Sequence, residues 1–167
     1  MKNIILLVSL AMFCQGCSYA ISPEYSRQAD RTVSIHEIRQ DPELFKGKLV
    51  IIGGTIDQVS NTDHGTLLEV VERRLDYWGR PERTSKIGGR FLLEYPAHLN
   101  TLLYVPGREI TVAAIMRGEA AALVHEDLRL PLFLSKELKL WDDDRKARTG
   151  PQWFDPLYDP HASPRTQ

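Results

Sequence analysis

Apolar and polar residues alternate with a period of two along several stretches of this chain, and that period is typical of β-strands. The longest such stretch, residues 47–71, predicts a β-hairpin whose polar turn lies at 60–65. One face of its first strand carries three apolar residues: Val50, Ile52 and Ile56. A Gly53-Gly54 pair interrupts that strand and predicts a sharp bend, as at the corner of a barrel.

Three more strands are predicted downstream of the hairpin. Residues 90–95 form the third strand, and 97–104 then predict a short helix or turn. Residues 109–116 form the fourth strand, with one apolar face: Ile110, Val112, Ala114 and Met116. Residues 130–141 form the fifth, in which four leucines are expected on one side: Leu132, Leu134, Leu138 and Leu140. Lys136 interrupts this alternation and predicts a β-bulge.

The order of the predicted elements indicates the fold class. A short helix is expected within residues 32–45, where Ser34 and Glu37 form a capping-box pattern and Asp41-Pro42 breaks the helix. Three strands, a short helical connection and two strands then follow, which is the order of a five-stranded Greek-key barrel of the oligonucleotide/oligosaccharide-binding (OB) type. We therefore expect a mainly β, OB-like barrel, with another small β-barrel or a sandwich as the alternative.

The N-terminal segment predicts export. Lys2 precedes a largely apolar run at 4–13 that is too short to span a bilayer, as in a secretory signal peptide. The sequence ending at Cys17 resembles the lipobox of bacterial lipoproteins, so a signal peptide at 1–16 and a lipid, including palmitate, on Cys17 are expected. Ser18 after that cysteine resembles the sorting signal for the outer membrane. The alternative is an ordinary cleaved signal peptide with an incidental cysteine.

Three segments are expected after the signal peptide. Residues 17–31 are polar and lack a sustained period, which predicts a lipidated tether. Residues 32–141 carry the barrel. Residues 142–167 are rich in proline and predict a disordered tail, in which an aromatic-Asp-Pro pattern occurs twice. The tail is either simply disordered or a recognition segment with three candidate contacts: Trp153, Phe154 and Tyr158.

Charge and reactive side chains narrow the function classes. The 167 residues include 21 Lys and Arg against 22 Asp and Glu, so the basic excess of a nucleic-acid-binding protein is lacking. Both cysteines lie in the N-terminal segment, and the five histidines lack the spacing of a shared metal site. Glu69 and Glu94 are expected to pair with arginine or lysine rather than act as an acid and a base. We therefore expect no enzyme activity, no catalytic residue, no metal site and no cofactor besides the lipid on Cys17.

The connection at 73–90 is basic, with six positive against two negative side chains. It is either an anion-binding loop or a solvated connection between strands. OB-type barrels bind ligands across strands two and three, which indicates six candidate contacts for a ligand or partner: Tyr77, Trp78, Arg80, Arg90, Phe91 and Tyr95. The alternative is that Trp78, Phe91 and Trp141 belong to the core or its edge.

A set of short motifs resembles one family. The motifs are Gly47-Lys48, Gly53-Gly54, Asn61, Gly65-Thr66, Glu69-Val70, Leu75-Asp76, Gly79-Arg80-Pro81, Gly89-Arg90-Phe91, Leu99, Tyr104, Pro106-Gly107-Arg108, Thr111-Val112, Pro131 and Leu140-Trp141. With the lipobox and the tail pattern, they resemble the Slp family, which are outer-membrane lipoproteins of Gram-negative bacteria named for induction on carbon starvation. The chain departs from the family pattern at Cys14-Gln15, Ala114 and Leu130.

This resemblance implies a location and a function. It implies a lipid-anchored protein of the Gram-negative cell outer membrane, linked to starvation or stress, with no established catalytic residues. We therefore expect a non-enzymatic lipoprotein with a structural or protein-interaction role in the cell envelope. Its expected partners are the outer membrane and other envelope proteins or lipopolysaccharide, and not nucleic acid. The alternative is an OB-like barrel that binds glycan or lipopolysaccharide.

Overall fold

The computed structural model of the protein describes residues 19–82, 88–125 and 127–142. Within these residues, short helices come first and strands follow: α1 Pro23–Gln28, α2 Ile35–Gln40, α3 Pro42–Phe45, β1 Leu49–Thr62, β2 Gly65–Glu72, β3 Arg90–Tyr95, β4 Glu109–Ala121 and β5 Arg129–Leu140. None of the helices described has both the length and the apolar character needed to cross a membrane.

The strands close into a single barrel in the order β1-β2-β3-β5-β4, with β4 hydrogen-bonded back to β1. β3 and β5 run parallel, and the other neighbouring pairs run antiparallel. The predicted mainly β, five-stranded OB-like barrel is therefore confirmed. Closure gives each strand a partner on both sides, which protects the sheet from pairing with a foreign strand.

β1 bends because it is shared between two sides of the barrel. Its residues 49–55 pair with β4, and its residues 54–62 pair with β2. Gly53 and Gly54 lie where the two pairings meet, and backbone carbonyls of β4 and β2 approach them closely. The glycine pair therefore lies at a corner of the barrel, as predicted, whereas the register shift of the β1–β2 ladder lies further along, at Asp57.

The barrel interior forms the main core, and α2 covers one end of it. Ile35 and Ile38 of α2 are fully buried in the same cluster as the inward residues of the strands, and the interior of a closed barrel is reached only through an end. Phe91 of β3 and Phe133 of β5 meet edge to face there, with ring centroids 5.6 Å apart. The apolar faces predicted for β1 and β4 belong to this cluster and are confirmed.

Side-chain caps determine where α2 and α3 begin. The Ser34 hydroxyl accepts a hydrogen bond from Glu37 N–H at 3.3 Å, and the Glu37 carboxylate accepts one from Ser34 N–H at 2.8 Å, so the predicted capping box is present. Asp41 caps α3 and Pro42 is its first residue, which confirms the predicted break. Residues 97–104 form bends and turns and no helix, so the predicted helix or turn between β3 and β4 is a turn.

A bulge in β5 changes which leucines face the core. Lys136 is the extra residue in the β4–β5 register, so the predicted bulge is confirmed. One extra residue shifts the inward-facing positions by one along the strand. Leu138 and Leu140 therefore pack against the main core, whereas Leu132 packs into a separate outer cluster. The prediction that the four leucines of this strand share one side is wrong.

The segment predicted as a tether packs on the barrel from Tyr19 onward. Ala20 and Ile21 are 8% and 2% exposed, and they lie in an apolar cluster on the outer face of β1 and β4. Ser22 N–H donates to both carboxylate oxygens of Glu137 on β5, at 3.0 and 3.1 Å, and α1 follows. The tether prediction is therefore wrong for the described part of the segment. The sequence did not reveal the packing, because two adjacent buried residues do not produce a detectable hydrophobic period.

Candidate functional site

One arginine and two carboxylates form a hydrogen-bonded network on the barrel face at β2 and β3. Arg90 on β3 donates hydrogen bonds to Glu69 on β2, at 2.8 Å, and to Asp57 on β1. Glu69 is 2% exposed, and its other carboxylate oxygen accepts a hydrogen bond from Leu123 N–H at 3.0 Å. The hydrogen bonds with Asp57 and Glu69 raise the pKa of Arg90. The expected pairing of Glu69 with a basic residue is confirmed, and Arg90 cross-links three strands.

Two of the candidate contacts on β3 belong to the core. Phe91 is fully buried against Phe133, so its ring is not accessible to a ligand, and its prediction as a surface contact is wrong. Tyr95 is half-buried and packs against the same cluster. The physical reason is the alternation of β3, which turns Phe91 and Tyr95 inward together with Leu93. The core interpretation, left open from the sequence, therefore applies to Phe91.

A tight turn follows β2 and presents two aromatic rings to solvent. The Asp76 carboxylate accepts hydrogen bonds from Trp78 N–H at 2.9 Å and Arg80 N–H at 2.8 Å. Asp76 N–H also donates to Arg80 C=O at 2.8 Å, which closes the turn. Tyr77 and Trp78 at its tip are 75% and 53% exposed. The turn therefore holds both rings on a defined backbone.

Arg80, at the end of this turn, is engaged within the protein. Its guanidinium pairs with Glu109 on β4 at 3.1 Å, and Glu109 is 6% exposed. It also donates to Asp142 C=O at 3.3 Å and lies over the Trp141 ring, 5.4 Å from the centroid. Arg80 therefore attaches the turn to β4 and to the end of β5, which is a structural role.

Tyr19 extends the exposed aromatic pair into a cluster of three rings. The centroids of Tyr19 and Trp78 are 6.5 Å apart, and those of Tyr77 and Trp78 are 5.2 Å apart with the rings nearly perpendicular. Tyr19 is 46% exposed. We call Tyr19, Tyr77 and Trp78 the aromatic cluster. Sequence reasoning missed Tyr19 because it lay in the presumed tether, although its position two residues after Cys17 is visible in the sequence.

An open cleft of about 770 Å³ lies beside the aromatic cluster. Its lining includes Tyr19 and Tyr77, together with the basic side chains of Arg31, Arg73 and Arg74. Two carboxylates, Glu72 and Asp76, also line it, so three positive and two negative side chains lie beside the aromatic cluster.

Glu72 lines the same cleft and is partly buried. One of its carboxylate oxygens accepts a hydrogen bond from Ile35 N–H at 3.1 Å, and the other has no hydrogen-bond partner among the described residues. Burial raises the pKa of Glu72 above its ordinary value of 4.5; the Ile35 hydrogen bond opposes this shift and the charge of Glu37 adds to it. The folded protein therefore binds a proton at this side chain more readily than the unfolded chain does.

Replacing Glu72 with glutamine is expected to change how stability depends on pH. Because its pKa is raised in the folded state, the wild-type carboxyl contributes stability below the unfolded pKa and loses that contribution as the pH rises through the folded pKa. The Glu72→Gln protein keeps the acceptor for Ile35 N–H and should therefore gain stability relative to wild type as the pH rises above 4.5, the ordinary pKa of this carboxyl. Urea unfolding across this range measures the difference. A Glu119→Gln variant, on the exposed surface of β4, controls for the loss of one negative charge, and parallel curves for wild type and Glu72→Gln would contradict the prediction.

Several predicted site residues lie outside the described residues. These are Cys17, the proposed lipid attachment site, and the tail residues Trp153, Phe154 and Tyr158. Within the described ranges, no group of three or more His, Cys, Asp or Glu is arranged to hold a metal ion. The histidines in those ranges are exposed: His36, His64, His98 and His125.

Comparison with known proteins decides the family. The model of the outer membrane lipoprotein Slp family matches residues 14–164. The chain belongs to the Slp family of outer-membrane lipoproteins. Outer membrane protein Slp of Escherichia coli (strain K12) is 25% identical over 122 residues, and the match covers 72% of this chain and 64% of that protein. The resemblance stated from the motifs is thus confirmed for this Slp-family protein, as is its predicted location in the Gram-negative outer membrane.

Proposed function

We propose that this Slp-family lipoprotein is a non-enzymatic component of the cell envelope that works through structural or protein contacts. A lipid on Cys17 holds it in the outer membrane, and its expression is linked to starvation or stress. The proposal rests on the two arginines of the predicted site, which form ion pairs within the protein instead of being held ready for a ligand. Arg90 cross-links β1, β2 and β3, and Arg80 pairs with Glu109.

The acidic side chains near this face favour a structural role over catalysis. A general acid or base needs a proton that it can exchange with a substrate within hydrogen-bond reach. Glu69 is 2% exposed and is bound to Arg90 and to Leu123 N–H, so its oxygens are committed to the fold. This supports a protein that acts by contact, with the tail 142–167 as the candidate contact segment.

The lipid on Cys17 is tested by replacing its sulfur. The Cys17→Ser protein should lose labelling by radioactive palmitate and leave the membrane fraction, because two or three acyl chains supply the anchoring. Labelling of cells followed by fractionation measures both effects. Ser18→Ala is the matched control, which should keep the palmitate label because it leaves the acylated sulfur in place. If the Cys17→Ser protein stays in the outer membrane without label, the lipobox interpretation is wrong.

A second candidate function is binding of lipopolysaccharide or an acidic glycan, and the cleft supports it. Arg31, Arg73 and Arg74 line the cleft, and phosphate or carboxylate groups are the natural ligands of arginine. The two candidates place the contact in different parts of the molecule. The structural role uses the tail 142–167, whereas ligand binding uses the cleft.

Cross-linking in intact cells separates the two candidates. Deleting residues 143–167 should abolish cross-links to envelope proteins if the tail makes the contact, and a paired Arg31→Glu and Arg74→Glu variant should leave them. Arg117→Glu on the exposed surface of β4 is the control for charge reversal. Cross-links that survive the deletion and disappear in the paired variant would show that the contact lies in the cleft, which would overturn the tail as the contact segment.

A further inference from the structure

We propose that the aromatic cluster of Tyr19, Tyr77 and Trp78 lies in the interfacial layer of the lipid bilayer and orients the barrel on the membrane. The occupant of this surface is the lipid headgroup and upper acyl region. The inference rests on the proposed acylation of Cys17 and adds a second, protein-borne contact to it. Acyl chains alone anchor a protein but leave it able to rotate about the attachment point.

The length of chain before Tyr19 brings this surface to the membrane. Cys17 precedes Tyr19 by two residues, and two fully extended residues span at most about 7 Å. The chain has no slack after that point, because Ala20 and Ile21 are buried and Ser22 N–H is bound to Glu137. An acylated Cys17 therefore holds Tyr19 within the headgroup layer, with the barrel directly on the bilayer.

The three rings have the chemistry of membrane-interface residues. Tyrosine and tryptophan each combine an apolar ring with a polar hydrogen-bonding group. Both residues are enriched at the headgroup level of membranes. Tyr77 and Trp78 are exposed at the tip of a turn that Asp76 closes with hydrogen bonds. Because the backbone of the turn is already ordered, inserting the rings costs little conformational entropy.

The turn is attached to one end of the barrel, which defines the orientation. Thr111 near the start of β4 donates a hydrogen bond to Gly79 C=O at 2.6 Å, so the turn lies at that level of the barrel. The far end of β4 at Ala121 lies ten residues beyond Thr111, about 30 Å along a strand, and Val124 follows three residues later. Val124 is 57% exposed, so it is an apolar surface residue with an exposure similar to that of Trp78. In the proposed orientation it lies away from the membrane.

Site-specific labelling of the acylated full-length protein tests the orientation. Tyr77→Cys and Val124→Cys proteins are labelled with an environment-sensitive nitrobenzoxadiazole dye, since Cys14 is removed with the signal peptide and acylation blocks the sulfur of Cys17. They are reconstituted into vesicles of phosphatidylethanolamine and phosphatidylglycerol that contain a nitroxide-labelled phospholipid. We expect blue-shifted emission and several-fold stronger nitroxide quenching at position 77 than at position 124. Adding Trp78→Ser and Tyr19→Ser to each labelled protein should reduce this difference.

The outcomes separate this inference from the proposed function. Intact-mass measurement and vesicle flotation report acylation and anchoring. Acylated protein that floats with the vesicles, while the label at 77 emits and is quenched like the label at 124, would overturn the orientation and leave the anchor standing. If the mass shows no lipid and the protein does not float, the anchor and the orientation both fail.

Discussion

Replacing Gly54 with alanine is expected to lower the free energy of unfolding by about 3 kcal/mol, because β1 has no room for a side chain there. A Cβ at Gly54 would lie 2.0 Å from the carbonyl oxygen of Val71 on β2. That atom belongs to the backbone of a paired strand, so it moves only if the β1–β2 ladder opens. Urea unfolding followed by far-ultraviolet circular dichroism measures the loss as a lower midpoint.

A second glycine provides the control for this substitution. Gly118 lies in β4, and a Cβ there would meet nothing within 4 Å. Its backbone has φ +147°, so Gly118→Ala carries only the cost of that conformation, on the order of 1 kcal/mol. If Gly54→Ala unfolds at the same urea concentration as Gly118→Ala, close approach at the barrel corner does not explain the glycine.

Replacing Arg90 with methionine is expected to cost about 3 kcal/mol, because it leaves the buried carboxylate of Glu69 without its cation. Glu69 is 2% exposed and would keep the hydrogen bond from Leu123 N–H. The estimate is at the low end for a broken buried pair because the Arg90 side chain is 42% exposed and water reaches it. Equilibrium unfolding in urea measures the change.

A double variant shows whether the charge or the packing of Arg90 accounts for that cost. In the Arg90→Met protein, a second change of Glu69→Gln removes the unpaired charge, and we expect at least half of the lost stability to return. Arg117→Met on the exposed surface of β4 is the matched control and should change stability by less than about 0.5 kcal/mol. A double variant that is no more stable than Arg90→Met would show that Arg90 acts through packing instead.

Patterns local to the chain predicted much of the fold. The alternation of β1 and β4, the capping box at Ser34 and the bulge at Lys136 were all found where the sequence indicated them. Each depends on neighbours within a few residues, where strand pleat and helix geometry act directly. The predicted orientation of Leu132 in β5 was wrong. After a bulge, the side of the sheet that each residue faces depends on how the strand pairs with its neighbours.

The candidate site was less predictable, since it depends on contacts between distant parts of the chain. Phe91 was expected on the ligand-binding face and lies in the core, while Tyr19 was assigned to a tether and joins the aromatic cluster. Tyr77 and Trp78 are exposed, and their role as contacts stays a prediction. Arg90 is bound by residues 21 and 33 positions away, a pairing that no local pattern reveals.

The sequence by itself determined the family and the class of barrel of this lipoprotein, because motifs, strand periods and caps depend only on residues that are close together in the chain. Only the tertiary structure decided what its charged and aromatic side chains do. It engaged Arg90 and Arg80 with buried carboxylates, turned Phe91 inward, and packed Ala20 and Ile21 on the barrel beside the aromatic cluster. The physical reason is that burial and pairing arise from barrel closure, which joins residues that are far apart in the chain.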